Sequence, residues 1–325
     1  MPVFLADISS LARLQARRPR LATLGEALVS PLPTCAHDDA EARALFSSQR
    51  PDVVRAVSLG GGRPVDLLVP CPGLRGRSGR VSYRVWQGMV PPGSFRSLGP
   101  GVFACSPEFC FLLAMPRLSW PDRLRLGYSL CGYYPPADAE VGGTHPFRAP
   151  LTSVSLLGRY LACARGAYGA NLARRVVRYL LDGSASPRET DLAIVLSLPA
   201  RFGGYGLKGM RLNVPVEADA RSRAISPQRR FILDEYFPES KTAVEYDGRQ
   251  HGEACHLARD ARRRDALLCR GISLVSVTDE QLTSQWAMEG VAALIAERCG
   301  QSSRTRARDP KAARIRLSLD LFGRA

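Results

Sequence analysis

The chain has 325 residues, 45% of them hydrophobic, with 45 Lys and Arg against 30 Asp and Glu for a formal net charge of +15. That apolar content excludes a disordered chain, and the length allows two domains with real cores. Almost all of the positive excess is arginine, whose planar fork pairs with phosphate; this favours a polyanionic partner, nucleic acid first, although the same arginines also suit a merely solvated surface.

The nine cysteines are scattered without a C-x-x-C pair, the usage of a reducing cytoplasm in which thiols serve as small core residues and no disulfides are expected. Residues 1–14 lack the basic start and continuous apolar core of a signal peptide, and no run approaches the roughly 20 apolar residues of a membrane span. A soluble, cytoplasmic protein with no membrane partner is therefore expected.

In chain order, residues 6–30 predict a helix with Leu11, Leu14, Leu21, Leu24 and Leu28 near helical spacing, broken about Pro19. Short strands follow at 65–69 and 81–86, where Val81, Tyr83 and Val85 alternate with Ser82 and Arg84. The intervening glycines have no GK[ST] after them and read as turns. A strand at 101–105 leads into a helix that Ser106 caps and Pro107 opens. The Pro- and Gly-rich stretch 135–150 is a loop or linker, and two helices, 151–165 and 167–181, bring the chain to a boundary near 183. A further helix runs from Ser186 to about Leu198. In it Glu189 is either the reciprocal partner of a capping box or an acid directed at a site. Residues 203–209 are expected to be a mobile glycine loop and 212–216 a strand.

The most informative stretch is 231–277. Residues 231–236 and 242–247 are β-favouring runs flanking Pro238, Glu239 and Ser240, which predicts a hairpin. Glu245 and Asp247, two apart on a strand, point the same way, and Asp234 on the preceding strand reaches the same end. Three acids brought together repel and raise one another's pKa unless a cation neutralises them, and Mg²⁺ (or Mn²⁺) takes hard oxygen ligands of this kind. His251 follows three residues after Gly248. Arg221, Arg223, Arg229 and Arg230 bracket the approach to Asp234. On the next helix Arg259, Arg262, Arg263 and Arg270 are expected on an outward basic side, with Leu257, Ala261 and Leu268 on an apolar side that packs on the sheet. Arg263 has Asp260 as a candidate intrahelical partner. A closing helix is expected over 279–298, and the arginine-dense tail from 301 to 316 is expected to be disordered until it meets an anion.

Asp234, ten intervening residues, then Glu245-Tyr246-Asp247-Gly248 with His251 resembles the PD-(D/E)XK nuclease superfamily, and within it the very-short-patch-repair-like branch known as domain of unknown function 559. Asp260, Arg263, Leu267, Gly271 and the strand from Ile272 continue the likeness, and Ser186 to Thr190 resembles the opening of the first helix. The resemblance covers roughly the last 140 residues. It implies a restriction-endonuclease-like mixed sheet flanked by helices over 184–300, preceded by an α+β domain over 1–183 and followed by a basic tail at 301–325, an α/β protein overall. It also implies metal-dependent hydrolysis of DNA, with Asp234, Glu245 and Asp247 as metal ligands, His251 beside them, and Glu189 as a first-helix acid. Arg229, Arg230, Arg249, Gln250, Arg259 and Arg263 would then meet phosphates. Asp247 occupies the position of the superfamily's catalytic lysine. Residues 101–114, GVFACSPEFCFLLA, with Leu130 to Tyr133, resemble the C-terminal domain of AbiEi-type antitoxins, without their usual N-terminal winged helix.

Two other readings compete with the endonuclease. One is a non-catalytic, antitoxin-like DNA-binding regulator that uses a nuclease fold as a phosphate platform; the other is a protein-interaction module whose acids pair with neighbouring arginines. His251, Cys255 and His256 lack a second ligand pair for a zinc site, and no serine or cysteine sits in a nucleophile signature. One site per chain means that double-strand cleavage calls for a homodimer or two visits. A partner protein from a defence or toxin-antitoxin system is compatible with both DNA-directed readings.

Overall fold

The computed structural model describes residues 3–6, 65–75, 79, 81–87, 90–99, 102–135, 148–248, 254–301 and 309–323. The helix expected over 6–30, apart from Ala6, lies outside the described residues together with Arg249, Gln250 and His251. The protein is a mixed α/β structure. It divides into two compact units, the first comprising Met1–Ser119, Pro135–His145 and Pro150–Arg178, the second Trp120–Tyr134, Pro146–Ala149 and Tyr179–Ala325.

The first unit holds a five-stranded sheet in the order β3-β2-β1-β5-β4, built from β1 (Val3–Leu5), β2 (Val65–Val69), β3 (Val81–Val85), β4 (Phe95–Gly99) and β5 (Val102–Cys105). β1 runs parallel to β5 and antiparallel to β2, so the sheet is mixed. Helices α1 (Pro107–Ala114), α2 (Trp120–Cys131), α3 (Val154–Cys163) and α4 (Ala170–Val177) follow, of which α2 belongs to the second unit. Ser106 caps α1 by accepting the Phe109 N–H, with Pro107 in the first turn. Phe109 is fully buried and meets Trp86 and Phe95 edge-to-face, with centroids 5.0 and 5.7 Å away.

The second unit carries α5 (Pro187–Ser197), β6 (Arg211–Glu217), α6 (Ala220–Ile225), β7 (Arg230–Phe237), β8 (Thr242–Asp247), α7 (Ala254–Cys269), β9 (Ser273–Thr278), α8 (Asp279–Thr283), α9 (Gln285–Arg298) and α10 (Pro310–Phe322). Its sheet runs β6-β7-β8-β9. The first three strands are antiparallel and β9 joins β8 in parallel, reached through α7. β7 alternates buried Phe231, Leu233, Glu235 and Phe237 with more open residues, the period-2 pattern of a strand with one face on a core. Ala266 and Leu267 of α7 pack with Phe231, Leu233, Ala243 and Ile272.

Four expectations are corrected. The glycine loop is anchored: Tyr205, Gly206 and Leu207 donate their N–H groups to the carbonyls of Val195, Leu198 and Leu196 at 2.9–3.0 Å. Gly203 and Gly204 are buried, and a Cβ on Gly204 would stand 2.0 Å from the Leu198 carbonyl oxygen, so glycine here serves close backbone approach. The closing helix is two helices, because Thr278 caps α8 and Ser284 ends it while capping α9 through the Ala287 N–H. The basic tail is ordered over 310–322, where Asp309 caps α10, Pro310 opens it, and Leu317 and Leu321 are buried. Finally, α7 turns differently from its expected orientation. Ala261 and Leu268 are exposed, while Ala266 and Leu267 are buried and Arg263 is only 20% exposed. Arg263 lies on the inner face because it finds polar partners on the sheet.

Candidate functional site

The β7–β8 ladder pairs Glu235 with Val244 and Tyr236 with Ala243. Asp234 and Glu245 flank the last pair of this ladder, and both line the same pocket. Asp234 accepts the Tyr246 main-chain N–H at 3.3 Å, which fixes its carboxylate beside β8. Asp234, Glu245 and Asp247 line one pocket of about 240 Å³ with Gln228, Arg259 and Arg263; Asp260, Arg264 and Ser276 complete its polar wall. Asp247 lies exposed at the end of β8.

Burial and the neighbouring charges of Glu189 and Glu245 push the Asp234 carboxyl up to about 7, against the pull of the Tyr246 N–H and the Arg263 guanidinium. Glu235, the next residue, is 0% exposed, and neither carboxylate oxygen has a hydrogen-bond partner among the described residues. Its pKa stands well above the ordinary range, first through burial and then through Asp234, Glu189 and Glu245. The sequence reading passed over Glu235. Its signal was the alternation itself, because Leu233 and Phe237 at two residues either side place it on the inward face.

Glu189 is held by the start of its own helix and by β6. Ser186 Oγ accepts the Glu189 N–H, and Glu189 Oε2 accepts the main-chain N–H of Ala185 at 3.0 Å, closing a capping arrangement one residue upstream of the cap. The same oxygen accepts Asn213 Nδ2 at 2.9 Å. Asn213 adopts φ +48°, a left-handed conformation that asparagine tolerates, at the β6 position across from Asp234. Glu189 is thereby held within electrostatic reach of Asp234.

The arginines divide. Arg263 Nη2 donates to Glu245 Oε1 and to the Ile232 carbonyl, the latter at 2.7 Å, so it reaches the sheet acid from α7. Arg259 and Arg264 line the pocket from α7. Arg221, Arg223, Arg229 and Arg230 are exposed and do not line it; Arg230 pairs with Glu217 at 3.1 Å. Behind the strand end, the Tyr246 hydroxyl donates to Asp279 at 2.9 Å, and Arg188 meets the same carboxylate at 3.2 Å.

The donor chemistry of the pocket, carboxylate oxygens whose mutual repulsion is already expressed in Asp234, suits a hard divalent cation. Glu245 is neutralised by Arg263, with which such an ion would compete. Among the described residues no group of three or more His, Cys, Asp or Glu side chains is disposed to hold a metal. Nor is any helix among them long and apolar enough to cross a membrane. No family model, no curated protein and no solved structure matches this chain.

Proposed function

We propose that the second unit is a metal-dependent endonuclease core acting on DNA. The observation that carries this reading is the gathering of Asp234 and Glu245 in one pocket walled by Arg259, Arg263 and Arg264. The order α5-β6-α6-β7-β8-α7-β9 supports it, since the acids then sit between α5, which packs on β7 and β8, and the arginine-bearing α7. Asp234 and Glu245, with Asp247 at the rim, would hold Mg²⁺ or Mn²⁺, which when bound polarises a phosphate oxygen. The guanidinium groups of Arg259 and Arg264 orient the phosphodiester, and Arg263 positions Glu245 from below. With an aspartate at position 247, removal of the attacking water's proton falls to His251.

The test is cleavage of supercoiled and single-stranded DNA with Mg²⁺ or Mn²⁺, against chelator and a folded Glu245→Gln variant. Metal-dependent cleavage abolished in the variant supports the proposal. Salt-sensitive DNA binding equal in both proteins, without cleavage, overturns it. That second outcome would favour the phosphate-platform reading, for which the Arg263–Glu245 pair speaks because it leaves the acid already neutralised.

A further inference from the structure

We propose that the first unit carries a separate binding site for an unpaired nucleobase and its phosphate, that is, for single-stranded nucleic acid. A cavity of about 230 Å³ opens beside β3, the edge strand of the five-stranded sheet among the described residues. Trp86, Leu112 and Pro116 form its apolar wall, and Tyr83 and Tyr168 add aromatic surface. Arg75, Arg84 and Arg117 line it as well, and no acidic side chain among the described residues does. Arg84 pairs with Asp66 at 3.0 Å.

Tyr168 is the distinctive group. It is 77% exposed, a large aromatic ring that folding leaves in water. Its backbone is nevertheless fixed, because Ala170 N–H closes a turn onto the Ala167 carbonyl and Gly169 takes φ +84°. A Cβ on Gly169 would come within 3.2 Å of Pro116 Cγ, so the turn is seated against the cavity wall. A ring presented from an anchored turn at the mouth of an aromatic, arginine-lined cavity is suited to stack on a planar base, while the arginines meet the adjoining phosphate. The buried Trp86 indole N–H has no acceptor among the described residues, leaving an unused donor in the same wall. A duplex keeps its bases stacked inside and offers no ring to such a cavity; a single strand does.

The experiment uses the full chain with chelator present, and reads fluorescence anisotropy of a labelled oligothymidine and of a duplex of equal length. Tyr168→Ala is expected to weaken single-strand binding about 10-fold while leaving duplex binding unchanged. Tyr168→Phe restores it. Arg75→Ala with Arg117→Ala is expected to reduce the salt slope for the single strand by about 1.4. Equal single-strand affinity in wild type and Tyr168→Ala, at matched thermal unfolding curves, overturns the proposal, as does an equal loss on both probes. Because no metal is present and every substitution lies in the first unit, this result is independent of whether Glu245→Gln abolishes cleavage.

Discussion

Arg263 on α7 closes an ion pair with Glu245 on β8, and the same nitrogen donates to the Ile232 carbonyl on β7. One guanidinium thus ties the helix to two adjacent strands at the point where the acids gather. The guanidinium also lies over Phe231, with Cζ 5.7 Å from the ring centroid. Arg263→Ala should therefore cost about 1.5–3 kcal/mol, the usual range for hydrogen bonds to a charged group. Arg263→Lys should recover part of that, since an ammonium keeps the charge but loses the fork. Urea unfolding midpoints of the three proteins test this; an unchanged midpoint in Arg263→Ala would show the pair to be energetically idle.

The pH dependence follows from Asp234. Its folded pKa of about 7 lies above its unfolded value, so between roughly pH 4 and 7 the folded state binds more protons than the unfolded chain. The contribution is fully present below about pH 4 and is lost as pH rises through 7, at most about 4 kcal/mol for a shift of roughly three units. Glu235, also raised, acts in the same direction. Asp234→Asn should flatten the slope of unfolding free energy between pH 5 and 7.5. A wild-type protein that gains stability across that interval would contradict the assignment. Millimolar Mg²⁺ should raise the melting temperature of the wild type at pH 7.5 and leave Asp234→Asn unmoved.

Glu235 is buried with both oxygens unpaired among the described residues, between Leu233 and Phe237 on the inward face of β7. Replacing it with an apolar residue removes a desolvated group and one member of a repelling set. Glu235→Leu is expected to stabilise the protein at pH 7 by about 1–3 kcal/mol. Glu235→Gln should do less, because an amide in the same place is still unsatisfied. Destabilisation by leucine, read from chemical unfolding, would mean that the carboxyl has a polar partner.

Gly204→Ala tests the anchored glycine segment. The new Cβ would meet the Leu198 carbonyl carbon and oxygen at 2.6 and 2.0 Å, which backbone cannot yield cheaply. A loss of about 3 kcal/mol is expected, at the upper end of overpacking costs. A neutral outcome would restore the picture of a mobile loop.

Local signals in this chain were strong wherever a residue's role depends on its immediate neighbours. Ser106, Ser186 and their prolines marked helix starts because an N-cap and its first turn are settled within four residues. The hairpin around Pro238 to Ser240, and with it the gathering of Asp234 and Glu245 in one pocket, was legible because strand alternation and turn chemistry are both short-range. The arginine count, by contrast, misled twice. It made residues 310–316 look disordered although Leu317 and Leu321 bury the helix they begin, and it turned α7 the wrong way round.

The sequence by itself determined the starts of the capped helices and the hairpin that carries the two strand acids, all consequences of short-range backbone chemistry. Only the tertiary structure decided which charges those acids meet. Glu189 comes from a helix some 45 residues away in sequence, Arg263 reaches back 18 residues to Glu245, and Glu235 is sealed beneath them. Whether a carboxylate ends up paired, crowded or stripped of water depends on packing between distant elements, and no local pattern encodes that.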